Sequence, residues 1–283
     1  MNHPVYKYQM PFKLHVISDT NYHPNEPYEP YTIPTEADIV VLNGNISTAW
    51  LKRGFMYAYA LAESHPDVQF VYNLGEEMYY FEISKYENEL EDNILLRMKN
   101  DVNWPKNLHW KHSTDPNGMP IQLRNGYTVS VFTTYGFPKI HRYTGDWEDT
   151  YWFQNYPMST LQVHKENINE FKEKPNDTSD VSHGLVPVWA TQDWINKKHS
   201  DEAAMVKNWE LSLKHCPILV THLNPFNDTR FVNCTVSPYL FHLNNGTWIT
   251  SNTRVKNINY LGGRLYSNPG RGESVRAECI EIT

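Results

Sequence analysis

Apolar residues in this chain gather into short runs that end on polar turns, and a segment with helical spacing separates two of them. Residues 13–18 alternate and then become continuously apolar, which predicts a strand that stops at Asp19. Residues 23–30 are too rich in proline for a helix and read as a loop. Residues 37–42 form a near-continuous apolar run, as expected of a strand covered on both faces. Residues 55–65 place Ala, Leu and aromatic side chains at helical spacing up to Pro66, and residues 68–72 are again a short buried strand. This strand–helix–strand pattern with short connections predicts a layered α/β fold.

Further along, residues 82–99 read as a charged amphipathic helix. Residues 108–110 and 127–134 read as two antiparallel strands, the first hairpin of a second sheet. Residues 141–200, rich in Trp, Tyr, Asp and Asn, read as an elaborated cap or lid with one short helix at 161–172. A helix over 201–215 ends before Pro217, and the apolar run 218–220 leads into Thr221-His222. Residues 246–250 and 264–267 read as the last strands of the second sheet. With no repeat at a solenoid period and no low-complexity linker, the chain reads as a single domain over 1–283 with an insertion at about 141–200.

Composition narrows the class. With 283 residues, 40% hydrophobic and 20% charged, the chain can bury a sizeable core, as ordinary globular proteins do. An aromatic content of 14%, including 19 Tyr and 9 Trp, favours strands with broad apolar contacts. The net charge of −7 points away from nucleic acid and from anionic membrane as partners. Cys216, Cys234 and Cys279 are odd in number and far apart, which argues against a disulfide framework or a thiolate zinc site. That cysteine usage makes a reducing cytoplasm the expected setting, and with no apolar h-region at the start and no apolar run of 18 residues, neither a signal peptide nor a membrane span is expected.

The candidate chemistry lies where strands end. In chain order the strand-end motifs are Ser18-Asp19-Thr20-Asn21, Leu42-Asn43-Gly44-Asn45, Leu74-Gly75-Glu76-Glu77, Thr221-His222 and Ser251-Asn252-Thr253-Arg254. Their order resembles that of the calcineurin-like metallophosphoesterases, in which D-x-H, G-D, G-N-H-[ED], a single His and G-H-x-H hold two metal ions. Residues 34–38 and the segment 262–270, with its Asn268-Pro269 turn, extend the resemblance. It covers most of the chain outside 141–200. It implies a four-layer α/β/β/α sandwich of two mixed sheets flanked by helices, with the ligands on loops at one edge.

Residue by residue, the resemblance also implies a damaged site. Asp19 matches a ligand, but Asn21 stands where a His is expected, and an amide oxygen is a weak neutral ligand. Asn45 stands at the bridging carboxylate and so removes the negative charge between two dications. Glu76 stands at the metal-binding Asn, and Glu77 at the His that assists as general acid. Glutamate fills that role near neutral pH when burial raises its pKa. His222 is intact. Asn252 and Arg254 replace two further histidines, and a guanidinium has no lone pair to give.

Each residue also has a plainer reading. Asp19 and Asn45 suit turn caps. His222 ahead of Leu223-Asn224-Pro225 suits a structural histidine, and Glu76-Glu77 a solvated pair. His23 suits a surface loop as well as it suits a replacement ligand, and Tyr151-Trp152-Phe153 and Tyr79-Tyr80 suit a core or an interface.

The expected function is that of a catalytically inactive or very weak pseudo-phosphoesterase, binding a phosphate-bearing small molecule or a protein. The alternative is a phosphoesterase with a single divalent metal (Mn, Fe, Zn or Mg) held by Asp19, Asn45, Glu76 and His222, which would polarise a phosphoryl oxygen or activate water. A third reading is an assembly component that oligomerises through the aromatic insertion. Arg254 is expected to pair with Asp19 in place of the lost ion.

Overall fold

A computed structural model describes residues 11–18, 31–44, 46, 51–75, 96, 98, 100–112, 115, 117–134, 197, 200–205, 218–222, 246–251, 258–260, 263–267 and 279–282; for 51–56, 258–260 and 263–267 it describes the backbone alone. In chain order the elements are β1 (Phe12–Ile17), β2 (Ile39–Asn43), α1 (Leu51–Ser64), β3 (Gln69–Asn73), β4 (Leu108–His109), β5 (Met119–Gln122), β6 (Thr128–Thr134), β7 (Ile218–Thr221), β8 (Thr247–Thr250), β9 (Ile258–Tyr260), β10 (Gly263–Ser267) and β11 (Ile280–Ile282).

They form two mixed sheets, one of five strands in the order β11-β1-β2-β3-β4 and one of six in the order β5-β6-β7-β8-β10-β9. In the first, β1 to β4 run parallel and β11 joins β1 antiparallel, so the two ends of the described chain meet in one ladder. In the second, β6, β7, β8 and β10 run parallel, with β5 and β9 antiparallel on the two edges. The class is α/β, as the apolar pattern predicts.

Side chains alternate across a strand, and the alternation here sorts the core. Leu14 and Val16 of β1, Ile39 and Val41 of β2, and Val71 of β3 join Met119, Ile121, Val129, Val131, Ile218, Val220 and Ile249 of the second sheet in one buried cluster. The core therefore lies between the sheets. The opposite rows, Val40, Leu42, Phe70 and Tyr72 on one sheet and Phe132, Leu219 and Trp248 on the other, are buried as well. Helix α1 contacts β3 and β4. Among the described residues no helix is long and apolar enough to cross a membrane.

Because both faces of β2 are apolar, hydrophobic burial does not fix its register; a slip of one residue exchanges one buried row for the other. The polar residues that end the strands do fix it. Asn43 stands opposite Asn73 in the ladder, and Asn73 Nδ2 donates to Asn43 Oδ1 at 2.9 Å.

Two features close the other end of the sandwich. From the β5–β6 hairpin, Arg124 donates to the carbonyls of Asp67, Thr35 and Ala37 at 3.0, 3.2 and 2.6 Å, tying the hairpin to the loops that enter β3 and β2. Asn107 Nδ2 donates to Ala62 O and His65 O at 3.0 Å each, at the C-terminal end of α1, and to Val68 O at 2.8 Å, just before β3.

The hairpin differs from the sequence expectation. Residues 108–110 do not pair with 127–134: β4 joins the first sheet parallel to β3, and the hairpin partner of β6 is β5. The turn between β5 and β6 is Asn125-Gly126, with Gly126 at φ 80°, Gly126 N donating to Leu123 O at 2.9 Å, and Tyr127 N donating to Asn125 Oδ1 at 3.0 Å. Asn-Gly between two β runs is a strong local hairpin signal. Helix α1 begins at Leu51, four residues ahead of the expected start. Of the helix expected at 201–215, residues 201–205 are helical and the rest lies outside the described residues, as does most of 82–99 and 141–200.

His109 of β4 gives the fold a pH dependence. Its Nε2 meets Gln69 Oε1 at 2.8 Å, and burial lowers its pKa below the ordinary histidine value. A histidine whose folded pKa is depressed contributes stability above its unfolded pKa, and that contribution is lost as the pH falls below it. Urea unfolding between about pH 7 and pH 5 should therefore show falling stability, with a shallower fall in His109→Gln. An unchanged slope would contradict this assignment.

Candidate functional site

Strands from both sheets bring their carboxyl ends to one rim. The register puts Ser18 in line with Asn43 and Asn73 at the end of the first sheet, and aligns Thr134, Thr221 and Thr250 at the end of the second. All six are buried. Asn43 and Asn73 continue the inward rows of Ile39, Val41 and Val71, so they are the last inward side chains of β2 and β3.

These two asparagines span the gap between the sheets. Asn43 Nδ2 donates to Thr221 O at 2.8 Å, and Asn73 Nδ2 donates to Thr134 O at 3.0 Å. Gly44 N donates to Asn73 O at 2.9 Å. An asparagine suits this place because its amide offers donors to the carbonyls that end the opposite strands and an acceptor for its neighbour. Such bonds contribute only about 1 kcal/mol each, but an unpaired buried group costs about 1–3 kcal/mol, which makes the network costly to break. On the outward face Trp248 Nε1 donates to Thr221 Oγ1 at 2.8 Å. Burial pushes the Tyr72 phenol well above its ordinary pKa, so this neighbour of Asn73 stays protonated and does not act as a base.

His222 sits at the centre of the rim, fully buried. Its backbone N–H donates to Thr134 O at 3.3 Å, and its own carbonyl accepts from Ser251 N at 3.2 Å and from Ser251 Oγ at 2.9 Å. Ring atom Nδ1 lies 2.5 Å from Ser251 Oγ and 3.3 Å from Asn43 O. The imidazole lies against Gly44: a Cβ at that position would fall 1.9 Å from Nδ1 and 2.5 Å from Cε1. Gly44 is at φ 72°, a conformation that also excludes most side chains, so two independent reasons require glycine there.

Of the residues singled out from sequence, His222 is within the described region. Asp19, Asn21, Asn45, Glu76, Glu77, Asn252 and Arg254 lie outside the described residues, as do His23 and the aromatic groups at 79–80 and 151–153. The chain neighbours Ser18, Gly44, Gly75 and Ser251 are described, and all are buried. Among the described residues no three His, Cys, Asp or Glu side chains assemble as a metal cluster. Sequence reasoning missed Asn43 and Asn73 as the residues that link the two sheets at the rim. The available signal was a polar residue two positions beyond the last inward aliphatic on adjacent strands. Comparison of the chain with family models, with curated proteins and with solved structures finds no match in any of the three.

Proposed function

We propose that this chain has a calcineurin-like metallophosphoesterase fold whose dinuclear site is degraded, and that it acts as a pseudo-phosphoesterase that binds a phosphate-bearing ligand or a protein at the rim. One observation carries the reading. Strands from two facing sheets deliver their carboxyl ends to a single buried rim around His222, and the strand-end motifs of the sequence follow directly from that rim. In this reading helices cover the buried outward rows of both sheets and complete a four-layer α/β/β/α sandwich.

The residue types at the motif positions fit a dinuclear centre poorly. Asn45 supplies no bridging charge, Asn21 and Asn252 offer weak neutral oxygens, and Arg254 offers no lone pair. They fit one ion better. Asp19, Asn45, Glu76 and His222 would hold it, and it would supply Lewis acidity toward a phosphoryl oxygen. That second reading is favoured by the way the ring of His222 is held from behind. The test is metal stoichiometry together with hydrolysis of aryl phosphate mono- and diesters in added manganese. The pseudoenzyme reading expects no turnover above buffer, and manganese-dependent turnover lost in His222→Ala would replace it with the single-metal enzyme.

In the pseudoenzyme reading Arg254 pairs with Asp19 in place of an ion. A guanidinium fork suits a carboxylate, and removing one partner of a buried pair leaves an uncompensated charge. If the pair is buried, Arg254→Ala should cost about 3 kcal/mol in urea unfolding, and adding Asp19→Ala should recover part of that loss. A double-mutant cycle without coupling would remove the pairing.

A further inference from the structure

We infer that Ser251 is a positioning residue for His222: together with the Asn43 carbonyl it fixes the imidazole as the Nδ1–H tautomer and leaves the ring lone pair on Nε2. The tautomer follows from the contacts of Nδ1 and of Ser251 Oγ, while its use toward a cation rests on the function proposed above.

Nδ1 faces two oxygens, Asn43 O at 3.3 Å and Ser251 Oγ at 2.5 Å. A backbone carbonyl only accepts, so a proton on Nδ1 satisfies that contact and a bare Nδ1 would repel it. The serine could in principle donate to the ring instead. Its hydroxyl proton, however, has an acceptor in the His222 carbonyl at 2.9 Å, which leaves an Oγ lone pair toward Nδ1. One arrangement of protons satisfies all three contacts: Nδ1–H shared between Ser251 Oγ and Asn43 O, and Oγ–H to His222 O. Turning the ring by 180° would exchange Nδ1 for a C–H and leave both oxygens facing carbon.

The acceptors are themselves held. Asn43 is tied through its side chain to Thr221 O and Asn73, and the following residue, Gly44, donates to Asn73 O. Ser251 N donates to His222 O, so the serine is fixed at two points. The ring lies on Gly44 with no space for a Cβ between them. A polar chain thus runs from β3 through β2 to the ends of β7 and β8, with the imidazole orientation as its outcome. Hydrogen bonds from the distal nitrogen of a histidine set which nitrogen carries the lone pair and raise its basicity as a ligand.

The test is a two-bond 1H–15N correlation spectrum of the full chain at a pH where histidines are neutral. The chain has 13 histidines, and the His222 signal is assigned by its loss in His222→Gln. The expected wild-type pattern is Nδ1–H. Ser251→Ala should give a mixture of tautomers with the amide spectrum otherwise retained, and Ser251→Thr should restore Nδ1–H. A wild-type Nε2–H pattern overturns the inference, as does a folded Ser251→Ala in which the tautomer is unchanged. The wild-type spectrum decides the tautomer even if the alanine variant does not fold.

Cobalt(II) is the probe of the second half. If the site takes one cation, Ser251→Ala should weaken cobalt binding about ten- to a hundred-fold, and Ser251→Thr should recover it. Nδ1–H in the wild type with no cobalt bound would support the tautomer and overturn the single-cation reading.

Discussion

Gly44→Ala should lose about 2–5 kcal/mol of stability, because two separate penalties meet at one methyl group. A non-glycine residue at φ 72° costs about 1–2 kcal/mol in backbone strain. The new Cβ would also fall inside the van der Waals envelope of the His222 ring, and forced overpacking of that kind costs about 1–3 kcal/mol more. Gly126 supplies the control. It has φ 80°, but a Cβ there meets no atom within 4 Å, so Gly126→Ala should show the strain penalty alone. Urea unfolding of the two variants separates the terms. Equal losses would mean that the contact of Gly44 with His222 contributes nothing.

Asn43→Leu should be comparably damaging, at about 2–4 kcal/mol, although leucine fits an apolar environment well. The change leaves Thr221 O without the amide donor and Asn73 Nδ2 without its side-chain acceptor, both in a buried place. Asn43→Asp separates shape from polarity. It keeps the outline of the side chain but sets a carboxylate oxygen where the donor to Thr221 O stood. Burial beside a carbonyl raises the folded pKa of such an aspartate above its unfolded value of about 3.9. Its deficit relative to wild type should therefore be smallest below that value and grow as the pH rises toward the folded pKa. Chemical unfolding of wild type and both variants at two pH values reads this directly. A leucine variant within 0.5 kcal/mol of wild type, roughly the range of a neutral surface change, would show that the clasp between the sheets is dispensable.

Both predictions concern residues that the apolar pattern alone does not single out, and this marks how far the sequence could be read. β2, β3 and β7 were legible because a parallel strand buried on both faces is a near-continuous apolar run, and β1 because its alternation passes into such a run. β4 is only two residues long, and its partner β3 lies more than thirty residues earlier, so local pattern could not separate a parallel edge strand from a hairpin arm. β5 carries Pro120 and alternates buried with exposed residues, which hides it from a search for apolar runs. Asn125-Gly126 was the better guide there.

At the site, His222 stood out because it follows a buried strand. Asn43 and Asn73 did not stand out, because an asparagine at a strand end reads first as a turn residue. Their role needs the second sheet, whose carbonyls they reach from residues 61 and 178 positions away in sequence. Ser251 is hidden for the same reason: its partner His222 is 29 positions away and meets it only when β7 and β8 pair.

The measurement that bears most directly on the proposed function is metal content. The purified full chain is equilibrated with excess manganese and zinc, freed of unbound ions, and analysed for metal per polypeptide alongside His222→Ala. At most one ion per chain is expected in the wild type and none in the variant, because in the proposed reading His222 is the imidazole ligand and Asn45 brings no bridging charge. Two ions per wild-type chain would contradict it.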